Sequence, residues 1–94
     1  MAEDKKLTEM KEEIAFRMTI TEYYEILEVH KKAEVDEIKK SYKKLALRFH
    51  PDKNSVEGLV VVIVGAKEVF KKVSTAYATL SNTEKRRSYD LLGV

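Results

Sequence analysis

The chain has 94 residues, 36% of them charged, a formal net charge of +2 and no cysteine. A chain this short makes one small domain, and without cysteine neither a disulfide framework nor a thiolate zinc site can support it, so a compact core must. So high a charged fraction suits small helices that bury one stripe and leave the rest in water.

In the first twenty residues Leu7, Met10, Ile14 and Met18 recur at helical spacing with charged residues between them. The pattern predicts an amphipathic helical extension over residues 1–20, with a frayed, loosely packed segment as the alternative, because isolated helices of this length are marginal. This stretch is too acidic for a transit peptide and has no apolar core for a secretory signal. The longest apolar run, 59–64, is six residues, against roughly 20 for a membrane-spanning helix. A soluble chain of the cytoplasm or nucleus is expected.

Thr21 is a candidate cap for a short helix over 23–27. A longer helix is predicted over 35–49, where Ile38, Tyr42, Leu45 and Phe49 share one face. Lys39 and Lys43 form one row on its flank, and Lys40, Lys44 and Arg48 another. Between residues 38 and 53 only Asp52 opposes six basic residues, Lys53 included. That local field suits an acidic partner surface. Pro51 stops the helix by lacking an amide hydrogen and restricting His50.

The stretch 56–65 is apolar and rich in β-branched residues, which gives it a strand-like, adhesive character if exposed. A loop partly packed on the domain and an extension of the next helix are both compatible with it. A helix over about 66–80 follows, with Val69, Val73, Ala76, Tyr77 and Leu80 facing inward and Phe70 beside them. Ser81 or Asn82 can cap a last helix, and Ser81 with Glu84 has capping-box spacing. That helix should end near Leu92, where Gly93 can turn left-handed. The chain is therefore expected to be all-α, four helices plus the extension.

The blocks Tyr23-Tyr24-Glu25-Ile26-Leu27, then the basic helix leading into Phe49-His50-Pro51-Asp52-Lys53-Asn54, stand in a definite order. Phe70-Lys71-Lys72, Ala76-Tyr77, Leu80-Ser81-Asn82 and Glu84-Lys85-Arg86-Arg87-Ser88-Tyr89-Asp90 follow. This series closely resembles the J-domain family of DnaJ-type co-chaperones, over about residues 21–93. The resemblance implies an antiparallel hairpin of the second and third helices with short flanking helices, in a J domain over 21–94; the apolar stretch at about 56–65 departs from the family pattern as an insertion. It also implies a partner, the ATP-bound form of a heat shock protein 70 chaperone, whose ATP hydrolysis the domain stimulates to promote client capture and folding. Lys39, Lys40, Lys43, Lys44 and Arg48 would form the docking face. His50, Pro51 and Asp52 would form the trigger, with Lys53 and Asn54 supporting the loop. The client is not legible.

The physical roles are consistent with that implication. Scattered lysines favour fast, salt-sensitive encounter. Pro51 lowers the entropy lost on docking, Asp52 offers a carboxylate for a partner arginine, and His50 supplies ring contact and a hydrogen bond. Taken without the resemblance, the lysine rows would be an ordinary solvated face and Pro51 a plain helix stop. Tyr89 is expected to pack, and Arg86 and Asp90 to be structural ion-pair or surface groups.

No enzyme activity, cofactor or metal is expected. His50 and Asp52 have no nucleophile placed beside them by a recognisable motif, and His30 and His50 lie a whole helix apart. Two other functions are compatible with these residues: a J-like scaffold without stimulation, and a basic helical nucleic-acid-binding module. The near-neutral charge and the lack of an arginine or Asn/Gln set for base readout disfavour the second. Two further departures from the family pattern stand out. Glu28 replaces a usual glycine, predicting strain of about 1 kcal/mol if that residue needs positive φ. Glu34 stands where Ser or Thr usually caps the second helix.

Overall fold

The structure, a computed structural model, describes residues 2–49 and 60–93, with side chains described over 8–49 and 64–93. The regular elements among the described residues are all helices: α1 (Ala2–Thr19), α2 (Tyr23–Ile26), α3 (Val35–Phe49), α4 (Val60–Leu80) and α5 (Thr83–Leu92). The centre is the α3–α4 pair, and α1, α2 and α5 all pack on α4.

In α3, Ile38, Leu45 and Phe49 are buried as the spacing requires, with Tyr42 half-buried. In α4, Ala66, Val69, Val73, Ala76 and Leu80 are buried at alternating steps of three and four. Tyr42 stacks on Tyr77 with ring centroids 4.0 Å apart. At the other end, α1 bridges Arg48 of α3 and Gly65 of α4. The two long helices therefore run antiparallel, the expected hairpin.

Four local expectations need adjustment. The N-cap of α2 is Glu22, not Thr21: its carboxylate accepts from the amides of Tyr24 at 3.0 Å and Glu25 at 3.1 Å. A charged acceptor at a helix N-terminus gains from the macrodipole as well as from the hydrogen bonds. Asn82 caps α5 through the Lys85 amide at 3.0 Å, so the capping-box spacing of Ser81 and Glu84 is not used as one. Met18 is 44% exposed while Ile14 is buried and Met10 half-buried. Successive steps of four drift by about 40° around a helix, which carries Met18 off the buried face. Finally, α4 begins at Val60, not near 66, so over 60–65 the helix-extension alternative holds. The rest of that apolar stretch, 56–59, lies outside the described residues.

Two turn expectations are met. Glu28 has φ 57°, in the left-handed region. Around it the Glu28 amide donates to the Glu25 carbonyl and the Val29 amide to the Tyr24 carbonyl, the pair of bonds that closes a helix end through a left-handed residue. Gly93 ends α5 with φ 76°, its amide donating to the Tyr89 carbonyl at 2.7 Å.

Candidate docking face

The five basic residues singled out on α3, Lys39, Lys40, Lys43, Lys44 and Arg48, are all exposed, on the side away from Ile38, Leu45 and Phe49. Their placement follows from the helix period alone. Leu47 joins them at 59% exposure. It lies three and four residues after Lys44 and Lys43, so an apolar side chain sits within the basic rows. Sequence reasoning passed over it, although its two-residue offset from Leu45 places it opposite the core. His50, Pro51, Asp52, Lys53 and Asn54 lie outside the described residues.

The end of α3 that leads into His50 is firmly held. Phe49 is 4% exposed, with the Arg17 guanidinium 5.0 Å and the Arg48 guanidinium 5.8 Å from its ring centre. Cation–π contact adds to burial here. Glu13 of α1 accepts from Arg17 at 3.2 Å and from Arg48 at 2.5 Å, and Arg17 also donates to Glu28 at 2.5 Å.

The start of α3 is held from the opposite direction. Ser41 donates to the Leu27 carbonyl, and the Ile38 amide to that of Glu34. Arg86 of α5 reaches back to the loop before α3, donating to the carbonyls of Ala33 at 2.7 Å and Lys31 at 3.1 Å and to the Tyr24 hydroxyl at 3.1 Å. Tyr24 in turn donates to Asp90. Arg86 and Asp90 are thus structural, as expected, but the hydrogen bonds described for them are to backbone and phenol oxygens, and the Arg86 guanidinium also lies 5.6 Å from the Tyr24 ring centre. Tyr89 packs as expected, stacked 4.6 Å from Tyr23. It does more besides: its hydroxyl donates to Glu22 at 2.7 Å and accepts from the Tyr23 amide at 3.0 Å.

Ionisation follows these contacts. Burial pushes the Glu22 carboxyl up, but the bonds from Tyr89 and the Tyr24 and Glu25 amides, with the charge of Lys31, hold it below its ordinary value. Burial, then the hydrogen bond to Asp90, raises the Tyr24 phenol; burial, then Glu22, raises that of Tyr89. Among the described residues no group of three or more His, Cys, Asp or Glu could hold a metal ion, and no helix is long and apolar enough to cross a membrane.

An antiparallel helical pair flanked by further helices, with a lysine-studded outer face, defines a small all-α domain with one basic side. The family model of the DnaJ domain matches residues 22–90. The chain belongs to the DnaJ-domain family. It is 53% identical over 72 residues to mouse DnaJ homolog subfamily B member 12, covering 77% of this chain and 17% of that protein. It is 54% identical over 71 residues to human DnaJ homolog subfamily B member 14, covering 76% of this chain and 17% of that protein. The Xenopus tropicalis subfamily B member 14 gives the same identity and coverage. The chain therefore spans about a sixth of the length of these relatives.

Proposed function

We propose that residues 21–94 act as a co-chaperone module, with 1–20 as an appended helix. The module docks on the ATP-bound form of a heat shock protein 70 chaperone and stimulates its ATP hydrolysis. Lys39, Lys40, Lys43, Lys44 and Arg48 steer and hold an acidic partner surface, and Leu47 supplies a dry contact among them. His50, Pro51 and Asp52 deliver the trigger, with Lys53 and Asn54 alongside. The chemistry of ATP hydrolysis belongs to the partner.

The observation that carries this reading is the exposed basic face of α3 running directly into the His-Pro-Asp tripeptide, in a chain of the DnaJ-domain family. The anchoring of Phe49 supports it, because a rigid lead-in reduces the ordering cost of docking.

Single-turnover ATP hydrolysis by a heat shock protein 70 chaperone tests it. The unaltered chain is expected to accelerate turnover, and Asp52→Asn to lose at least about tenfold of that stimulation, the loss of a charge-assisted bond. Asp52→Asn should leave the helical circular dichroism unchanged. Equal stimulation by both chains refutes the trigger assignment. Binding without stimulation by the unaltered chain identifies a scaffold instead.

A further inference from the structure

Helix α1 meets the basic face at Arg48. Glu13 lies between two guanidinium groups, one carboxylate oxygen on Arg17 and the other on Arg48. The Arg48 side chain is 53% exposed, so the pair sits at the rim of the face, not inside the core. Arg48 is the basic residue of that face nearest His50 in sequence.

Three further contacts hold α1 so that Glu13 reaches there. Ile14 is 7% exposed and rests on Gly65 of α4, where an added Cβ would come within 2.5 Å of Ile14 Cγ2. A glycine at that turn of α4 is what admits α1 so closely. Lys72 of α4 donates to the carbonyls of Met18 at 2.7 Å and Ile20 at 2.8 Å, placing an ammonium at the negative end of α1. Arg17 adds its bond to Glu28.

We infer that α1 is a built-in competitor for the docking face: Glu13 occupies Arg48 with a carboxylate, the group that an acidic partner surface would bring to it. The inference rests on the docking reading above. A partner that takes the Nη2 edge of Arg48 displaces Glu13, and until then the carboxylate lowers the positive potential that steers encounter. Displacement is cheap, because Glu13 keeps Arg17 as a second partner and neither group is left buried and unpaired. Exposed pairs of this kind shift an equilibrium by about two- to fivefold, which makes α1 a brake of that size and not an off-switch.

The test measures binding of the full chain to an ATP-bound heat shock protein 70 chaperone at low and at physiological salt. Glu13→Gln is expected to tighten binding about two- to fivefold at low salt, with a smaller gain at higher salt. Gly65→Ala, which pushes α1 off α4 while leaving every charge in place, should give a gain of the same sign. In an Arg48→Gln background the gain from Glu13→Gln should shrink. An unchanged or weakened affinity for Glu13→Gln overturns the inference, as does an equal gain with and without Arg48. If Gly65→Ala lowers the helical circular dichroism, the Glu13 and Arg48 cycle decides alone. Stimulation by the unaltered chain without a Glu13 effect overturns this inference only. No chaperone binding by any variant overturns the docking reading with it.

Discussion

Between α2 and α5, Tyr89 donates to Glu22 while its ring stacks on Tyr23, and Arg86 binds three acceptors from the flank. Between α1 and α3, Glu13 meets Arg17 and Arg48 with its side chain 28% exposed and that of Arg48 53% exposed. Both regions join helices through a carboxylate and a guanidinium. The first satisfies backbone groups that folding has removed from water, and such groups are expensive to leave unpaired. In the second, the Glu13–Arg48 pair sets ions against each other where water would serve either nearly as well, while Arg17, 13% exposed, keeps Glu28 as a further partner. The difference teaches which polar contacts hold the fold and which are left free to respond to a partner.

The largest expected effect lies at Arg86. Arg86→Ala removes donors from the Ala33 and Lys31 carbonyls and from Tyr24, and should cost about 2–3 kcal/mol in urea unfolding. Arg86→Lys should recover only part of this, since a point charge cannot serve three spread acceptors as a planar fork does. A loss under about 0.5 kcal/mol for Arg86→Ala would break the comparison, because surface substitutions are worth that little.

Tyr89→Phe comes next, at about 1–2 kcal/mol, since it strips Glu22 and the Tyr23 amide of a partner while keeping most of the stacked ring. It also has a pH signature. Glu22 is held below its ordinary value, so its contribution is present above the unfolded glutamate range and is lost as pH falls through the lowered value. Tyr89 is held above its ordinary value, so its contribution is present below the unfolded tyrosine range and fades as pH rises through the raised value. The urea midpoint of Tyr89→Phe should therefore fall less than that of the unaltered chain between about pH 6 and pH 3. Parallel pH profiles would show that Glu22 draws nothing from Tyr89.

Much of this architecture can be read from the sequence, for reasons that differ by scale. The inward faces of α3 and α4 follow from helical period, and the left-handed residues at 28 and 93 from the geometry of helix ends. Those are local rules. Glu22 was missed as a cap because its advantage over Thr21 includes Tyr89, 67 residues away. In the sequence the start of α4 stays open between loop and helix because a β-branched run disfavours helix locally, whereas the seat of Ile14 on Gly65 comes from tertiary packing. The lysine rows were legible as a face. Leu47 and the Glu13 contact were not, since neither belongs to the charge pattern that drew attention to α3.

A smaller effect is expected at Glu28, where a local cost and a tertiary gain oppose each other. A left-handed glutamate costs about 1 kcal/mol relative to glycine, while its bond to Arg17, with the carboxylate 47% exposed, returns less than that. Glu28→Gly should therefore stabilise the chain by about 0.5 kcal/mol, read from the urea midpoint at constant slope. Destabilisation would move the Arg17–Glu28 pair out of the responsive class and into the fold-holding one.

The smallest stability effect belongs to Glu13. Glu13→Gln keeps the side-chain volume and one hydrogen-bond acceptor; of the partners of the lost charge, Arg48 is 53% exposed, and Arg17, 13% exposed, keeps Glu28 as a second carboxylate. Its unfolding free energy should lie within about 0.5 kcal/mol of that of the unaltered chain, with the difference vanishing at high salt. That near-null result gives the binding comparison its force, because a substitution that leaves folding alone while changing salt-dependent docking must act through the free surface. A loss above about 1 kcal/mol would instead make Glu13 a structural clamp on α3. The two ends of the molecule would then be held by the same kind of contact after all.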